Sequence, residues 1–203
     1  MNNIQILEQE AIDLLKKLIA TPSFSKEEEK TGDILSEFLS SRGVSVERLQ
    51  NNIWAKGKHF DPSKPTILLN SHHDTVRPNK AYTLDPFAPL VRDGKLYGLG
   101  SNDAGGCLVS LISVFLYYFD RADLSHNLVL ALSAEEEISG HNGIELLIPV
   151  LGKIDWAIVG EPTKMQLAVA EKGLLVLDCT SYGKAGHAAR DEGENSIYKA
   201  LRD

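Results

Sequence analysis

Helical periodicity is clearest in the first quarter of the chain. Over residues 5–20 the apolar side chains recur every three or four positions, a spacing that predicts an amphipathic helix. Ser25 and Glu28 then form a pair that is typical of a capping box and predicts the start of a second helix. We expect that helix to run to about Arg42 and to stop at Gly43, because glycine readily takes the left-handed conformation that ends helices.

Apolar segments later in the chain alternate between strand-like and helix-like patterns. Strands are predicted at residues 44–50, 52–57, 66–70, 128–132 and 154–160. Two further helices are predicted, at 107–119, which is apolar nearly all round and should be deeply buried, and at 141–152. Because strands alternate with helices, the pattern predicts an α/β fold with a largely parallel mixed sheet flanked by helices.

Histidine or acidic residues follow three of the predicted strands directly. They are SHHD at 71–74, a run of three glutamates at 135–137, and Glu161. A fourth acid, Asp103, lies in a glycine-rich loop before the apolar helix. In open α/β sheets, ligands bind beyond the carboxyl ends of the strands. These residues therefore form a candidate site at one edge of the sheet.

Composition excludes some classes of protein but does not identify the function. The 203 residues are 43% hydrophobic and carry a net charge of −7, which argues against non-specific binding of nucleic acid. No apolar run approaches the length of a membrane span. Cys107 and Cys179 lie far apart, and without a signal-like N-terminus we expect a reducing cytoplasm. Both tryptophans, Trp54 and Trp156, are expected in the core.

The chemistry of the clustered side chains favours a transition-metal site. Imidazole with several carboxylates and no adjacent cysteine suits zinc, with cobalt or manganese as possible alternatives. A bridging carboxylate between two divalent ions would be typical of a hydrolytic site, where the ions lower the pKa of water and polarise a carbonyl. A further carboxylate beside that water can carry its proton to a leaving amine.

Four motifs, in this order, resemble the co-catalytic zinc peptidases and deacylases: HHD after an apolar strand, GLGSNDAGG, AEEEISGHNG and VGEP. This family includes aminoacylase, glutamate carboxypeptidase, succinyl-diaminopimelate desuccinylase and acetylornithine deacetylase. The sequences of the motifs are most similar to those of acetylornithine deacetylase. The later GKAGHAAR resembles the start of the family's lid domain. The resemblance implies a catalytic metal-binding domain over 1–170 and the beginning of an α+β lid and dimerisation domain over 171–203.

The resemblance also implies a set of metal ligands. His72 corresponds to a ligating histidine and Asp74 to the acid that orients it. Asp103 corresponds to the bridging carboxylate. Glu137 corresponds to a ligand of one ion, and Glu161 to a ligand of the ion that His72 binds.

Two catalytic roles are implied in the same way. Glu136 corresponds to the general base, which takes a proton from water and passes it to the leaving amine, whereas Glu135 corresponds to an acidic position that binds no metal. His187 corresponds to a lid histidine that stabilises the oxyanion in the partner's active site. A homodimer through the lid domain is therefore implied by resemblance.

The chain also departs from the family pattern. Ser71 stands where the family usually has glycine. His73 is a rival to His72, which we prefer because the orienting acid normally follows two residues after the ligand. The second ion needs a distal histidine that this sequence does not contain. We therefore expect a fragment or truncated form of a longer enzyme, with one metal site incomplete.

The resemblance to acetylornithine deacetylase implies hydrolysis of N2-acyl-ornithine, with the acyl group either acetyl or succinyl, in arginine biosynthesis. The substrate would be a small N-acyl amino acid, with no nucleic-acid or membrane partner. Alternatives are a dipeptidase or succinyl-diaminopimelate desuccinylase of the same family, or a catalytically incomplete fragment.

Other classes of protein are less well supported. A binding or regulatory module that has lost catalysis would have little need of Glu136. A structural Mg²⁺ or Ca²⁺ site on a phosphate-binding domain is disfavoured because histidine suits those ions poorly and no G-x-x-x-x-G-K-[ST] loop is present.

Each motif has an ordinary structural interpretation when it is taken alone. The paired histidines could form a solvated turn, the glutamates could begin a helix, and Asp103 could cap one. Glu161 could be a loop residue, and His187 an exposed histidine. Only the four ordered clusters together favour the metal site.

Overall fold

The computed structural model describes residues 3–170, 172–173, 175, 177–187, 189–190 and 192–202. Its α-helices are α1 (Asn3–Ile19), α2 (Glu29–Ser40), α3 (Gly105–Tyr118), α4 (Ile144–Leu151) and α5 (Ser196–Ala200). Its strands are β1 (Val46–Leu49), β2 (Asn52–Lys56), β3 (Thr66–His72), β4 (Leu90–Arg92), β5 (Lys95–Tyr97), β6 (Asn127–Ser133) and β7 (Trp156–Val159). None of the helices in these residues is both long and apolar enough to cross a membrane.

The chain divides into two compact units, one ending at Met165 and the other beginning at Gln166. The first contains every named strand and helices α1 to α4. The described part of the second contains α5. Asn195 caps this helix, because its side chain accepts a hydrogen bond from the amide of Ile197 at 2.9 Å. That the two units are a catalytic and a lid domain stays a prediction.

The main sheet has five strands in the order β1-β2-β6-β3-β7. β3 runs parallel to both β6 and β7, whereas β2 is antiparallel to β1 and β6. A separate hairpin is formed by β4 and β5. The predicted mixed α/β sheet is therefore confirmed, and its parallel part places the carboxyl ends of three strands at one edge.

Helices cover both faces of this sheet. On one face α1, α2 and α3 pack through a core that includes Leu14, Leu35, Leu108 and Phe115, all at most 2% exposed. On the other face α4 packs through Leu147. Truncation of a fully buried phenylalanine such as Phe115 to alanine costs about 3–5 kcal/mol, so burial on this scale holds the site's scaffold together.

Two expectations about burial were wrong in part. Helix α3 buries one face, whereas Val114, Tyr117 and Tyr118 on its other side are each more than a third exposed. Trp54 is buried at 7% exposure, but Trp156 is 69% exposed because β7 is an edge strand of the sheet. An apolar sequence does not show which of its faces is covered by other elements.

The predicted capping box of α2 does not form. The helix begins at Glu29, and the residue before it, Glu28, makes no side-chain capping bond. The hydroxyl of Ser25 donates instead to Asp74 at 2.7 Å, so a tertiary hydrogen bond has replaced the local one. The predicted left-handed Gly43 is confirmed with φ +76°, three residues beyond the last residue of α2.

Candidate metal centre

The parallel pairing of the central strands brings the predicted acidic residues together. His72, the last residue of β3, lies opposite Ser133, the last residue of β6. The amide of Gly160 donates to the carbonyl of Asn70 at 2.7 Å, which extends the ladder on the other side toward Glu161. Residues just beyond all three strands therefore share one edge of the sheet.

His72 is held in one orientation and one tautomer by Asp74. Its ring is buried, and Nδ1 lies 3.0 Å from the main-chain carbonyl of Asp74 and 3.3 Å from Oδ1 of the same residue. A carbonyl oxygen can only accept, so Nδ1 carries a proton and donates it. Nε2 is then the nitrogen available to a metal, the arrangement that ligating histidines normally adopt.

Carboxylates surround the free nitrogen of this ring. Nε2 of His72 lies 3.3 Å from Asp103 Oδ1, 3.7 Å from Glu136 Oε2 and 3.7 Å from Glu161 Oε1. Two groups of three side chains can each offer ligand atoms within 4.8 Å of one another: His72 with Asp103 and Glu137, and His72 with Glu136 and Glu161. One imidazole and several carboxylates are a donor set that fits zinc, cobalt or manganese.

Proton affinities in the cluster reflect its excess of negative charge. Burial lowers the pKa of His72, but the hydrogen bond to Asp74 and the attraction of Asp74, Glu161 and Glu136 outweigh it and raise the pKa to about 9. The pKa values of Glu137 and Glu161 are raised, first by burial and then by neighbouring carboxylates, although His72 opposes the shift. A cation placed among these groups would relieve that repulsion.

Asp74 organises the glutamate run as well as the histidine. Its carboxylate accepts hydrogen bonds from the amides of Glu136 at 3.0 Å and Glu137 at 3.1 Å, and from the hydroxyl of Ser25 at 2.7 Å. Burial would raise the pKa of Asp74, but hydrogen bonds from His72, Ser25 and Glu136 outweigh it, so the pKa is lowered. The side chain therefore remains ionised and fully hydrogen-bonded.

The three consecutive glutamates have different environments. Glu135 is buried with φ +54°, and its carboxylate accepts a hydrogen bond from Asn142 at 3.0 Å. Glu136 and Glu137 begin a short 3₁₀ turn that ends at Ile138 and belong to the metal-ligand groups. The left-handed residue thus lets a single turn bury the first carboxylate and direct the next two to the cluster.

Asp103 is carried by the glycine-rich loop that leads into α3. Gly100 has φ +73°, and a Cβ on Gly105 would lie 2.4 Å from the carbonyl oxygen of Gly100. Both positions therefore require glycine, since a side chain at either would strain or separate the loop and the helix. The peptide between Asp103 and Ala104 is cis.

His73, the rival candidate, lies in a different environment from His72. Its Nδ1 is 2.9 Å from the hydroxyl of Thr31, and its Nε2 donates to the carbonyl of Asn51 at 2.9 Å. Burial lowers its pKa to about 4, so the ring is neutral. With both nitrogens engaged in hydrogen bonds, His73 has a structural role.

His187 lies in the second compact unit, where it is exposed. Its Nδ1 accepts a hydrogen bond from the amide of Ala189 at 3.2 Å. Its proposed role at the oxyanion stays a prediction.

Glu28 was missed by sequence reasoning as part of this site. It is fully buried and accepts hydrogen bonds from the amide of Lys26 at 2.7 Å, the amide of Glu135 at 3.1 Å and the side chain of Asn51 at 2.8 Å. It therefore joins the start of α2 to the glutamate turn. Its sequence context indicated a helix cap, and no local pattern could show that distant donors surround it.

Comparison with known families agrees with this geometry. Residues 68–192 match the profile described as Peptidase family M20/M25/M40. The chain belongs to this family. The match includes every residue given a role at the site: His72, Asp74, Asp103, Glu136, Glu137, Glu161 and His187.

Two curated relatives cover nearly all of this chain. It is 34% identical to an acetylornithine deacetylase of Proteus mirabilis over 92% of its own length and 51% of the relative. It is 26% identical to a succinyl-diaminopimelate desuccinylase of Delftia acidovorans over 94% of its length and 55% of the relative. The M20 chain thus spans about half the length of the curated relatives it matches.

A solved M20 structure shares the fold. The crystal structure of the Bacillus subtilis YXEP protein, described as a dinuclear metal binding peptidase, superposes with a TM-score of 0.58 at 18% identity. The match covers 76% of this chain and 43% of that one.

Proposed function

We propose that this M20 chain carries the metal-binding half of a hydrolase that removes the acyl group from an N-acyl amino acid. The observation that carries this proposal is the environment of His72. Its Nδ1 is fixed by Asp74, and its Nε2 faces the carboxylates of Asp103, Glu136 and Glu161. Carboxylates that converge on one nitrogen of a buried imidazole form a donor set that a divalent transition-metal ion would hold together.

Two divalent ions, zinc first and cobalt or manganese as alternatives, fit the donor set. His72 and Glu161 would hold one ion, Glu137 would contribute to the other, and Asp103 would bridge them. A dinuclear centre in the related YXEP protein supports this count. Bound at such ligands, divalent ions act as Lewis acids that polarise a carbonyl and lower the pKa of water.

Glu136 has the position that a general base requires. Its side chain is about half exposed, at 52%, and its Oε2 lies 3.7 Å from Nε2 of His72, so it reaches both water and the proposed metal site. We assign it the transfer of a proton from the attacking water to the nitrogen of the scissile amide. The C–N bond then breaks, with the water oxygen on the acyl carbon and the proton on the leaving amine.

His187 and a second subunit complete the proposal. His187 would donate to the oxyanion across a homodimer formed through the second unit. These two assignments rest on resemblance alone, and the variant His187→Ala tests them through turnover and through the oligomeric state.

N2-acetyl-ornithine is the substrate that we favour, within arginine biosynthesis in the cytoplasm. The 34% identity to an acetylornithine deacetylase supports this choice over the desuccinylase, at 26%. The remaining alternatives are N2-succinyl-ornithine, N-succinyl-diaminopimelate and a dipeptide.

A substrate panel with zinc-loaded protein tests the proposal. Zinc content is measured on the purified chain, and amine release from these four compounds is measured on the enzyme that also carries the distal histidine expected for the second ion. We expect retained zinc and preferred cleavage of N2-acetyl-ornithine. Absence of bound zinc would contradict the metal site, whereas retained zinc with preference for another compound would overturn the substrate alone.

A further inference from the structure

One side-chain atom is anomalous in the part of the chain that the structure describes. Oγ1 of Thr75 is buried and has no hydrogen-bond partner. A buried polar group without a partner costs about 1–3 kcal/mol, and in most proteins an ordered water satisfies such groups. Thr75 directly follows Asp74 at the end of β3, so its environment adjoins the proposed metal site.

Both the main chain and the methyl group of Thr75 are held in place. Its amide donates to the carbonyl of Ser23 at 2.8 Å, and its main chain forms a parallel bridge with Phe24. A Cβ on Gly100 would lie 2.7 Å from Cγ2 of Thr75, so the methyl group packs against that glycine. Branched side chains are stiff about χ1, so the hydroxyl has little freedom to turn toward another partner.

Thr75 also lines a small cavity. Its volume is about 20 Å³, and the residues around it include Ser23, His72, Asp74, Thr75 and Gly100. A cavity needs roughly 10–15 Å³ to hold a water molecule, so there is room for one water and no larger ligand.

The charged groups around the cavity already have partners. Nδ1 of His72 donates to Asp74. The carboxylate of Asp74 accepts from Ser25 and from two main-chain amides. Nearby His73 uses both ring nitrogens. A neutral occupant therefore fits this space better than an ion.

Gly100, in the glycine-rich loop, also lines the cavity and offers a main-chain acceptor. The carbonyl oxygen of Gly100 accepts from the amide of Gly105 at 2.9 Å. A carbonyl has two lone pairs, so this oxygen can accept a second hydrogen bond. Buried Ser23 adds another polar group to the cavity wall.

We propose that one ordered water fills this cavity and bridges the Thr75 hydroxyl to the carbonyl of Gly100. The bridge joins the end of β3, which carries His72, to the loop that carries Asp103 three residues after Gly100. Oδ1 of Asp103 lies 3.3 Å from Nε2 of His72, and the water helps to maintain that separation. Thr75 is thus a positioning residue for the two proposed ligands.

Two substitutions separate a water-filled cavity from a dry one. Thr75→Val replaces the hydroxyl with a methyl group of similar volume and removes one of the two proposed partners of the water. Thr75→Ser keeps the hydroxyl. For wild type and each variant, the melting temperature is measured and a high-resolution crystal structure of the chain is determined. Zinc affinity is measured by competition with a chromophoric chelator, at a temperature well below the melting temperature.

If the water is present in wild type, Thr75→Val melts at a lower temperature than wild type and binds zinc about tenfold more weakly. A tenfold loss is the lower end of the range seen when a residue that supports a metal ligand is replaced. Thr75→Ser restores most of both, and density for one water appears in the wild-type cavity. If the cavity is dry, Thr75→Val removes an unsatisfied group and melts at or above wild type with unchanged zinc affinity. That result, or an empty cavity in the crystal structure, overturns the proposal.

Only the zinc readout rests on the proposed function. A wild-type chain that binds no zinc would contradict the metal site. The melting temperatures and the density in the cavity would still decide whether the water is present.

Discussion

Asp74 accepts a hydrogen bond from the main-chain amide of Glu136, with 3.0 Å between Oδ1 and the nitrogen. The same carboxylate fixes the ring of His72. One buried acid therefore sets both the tautomer of the proposed ligand and the path of the turn that carries the proposed base.

Asp74→Asn tests this double role. An asparagine offers one acceptor oxygen where the carboxylate offers two, and its NH₂ group would face donors. Each hydrogen bond lost to a charged group costs about 1.5–3 kcal/mol, so we expect the free energy of unfolding to fall by at least that amount and zinc binding to weaken. Chemical denaturation measures the first effect.

Asp93 provides the matched control. It is exposed, and its left-handed backbone conformation is one that asparagine tolerates. Asp93→Asn should leave both quantities unchanged. An Asp74→Asn protein as stable as this control would contradict the organising role of the carboxylate.

His72 and His73 should respond differently to the same substitution. His72→Gln removes the free Nε2 and should lower zinc affinity by more than the roughly 10–100-fold that is typical of residues outside the ligand shell. His73→Gln disturbs hydrogen bonds to Thr31 and Asn51, so it should lower stability while the folded protein still binds zinc. Zinc titration and thermal melting of both variants separate the two effects, and a reversed pattern would make His73 the ligand.

Glu136→Gln keeps the size of the side chain and removes its basicity. In the enzyme that also carries the distal histidine, we expect hydrolysis of N2-acetyl-ornithine to slow by about 10²–10⁴-fold, the usual contribution of a general base, while most bound zinc is retained. Glu47→Gln, at an exposed position of β1, controls for the loss of one negative charge. Activity within a few-fold of wild type in Glu136→Gln would remove Glu136 from the mechanism.

Glu28→Gln tests the buried carboxylate that sequence reasoning missed. Glutamine would direct an NH₂ group at one of the donors from Lys26, Glu135 and Asn51, so the free energy of unfolding should fall by about 1.5–3 kcal/mol. The neighbouring exposed Glu29→Gln should cost less than 1 kcal/mol, as expected for a charge in the first turn of a helix. Equal effects in urea denaturation would show that burial of Glu28 adds nothing to stability.

Local pattern was sufficient to predict how the sheet gathers the acids. Apolar strands followed by His72, by the glutamate run and by Glu161 could be placed at one edge because parallel strands end together. Local pattern was insufficient wherever a partner comes from far along the chain. Ser25 was interpreted as a helix cap and instead binds Asp74, 49 residues away. Trp156 was expected in the core because its apolar character does not show that β7 lies at an edge.

Native mass spectrometry of the zinc-treated chain, with Asp103→Ala beside wild type, tests the central claim most directly. Asp103 is the proposed bridging ligand, and its Oδ1 lies 3.3 Å from Nε2 of His72. The account predicts bound zinc in the folded wild-type protein and a clear loss of zinc in Asp103→Ala. A wild-type chain free of zinc, or a full complement of zinc in the variant, would contradict it.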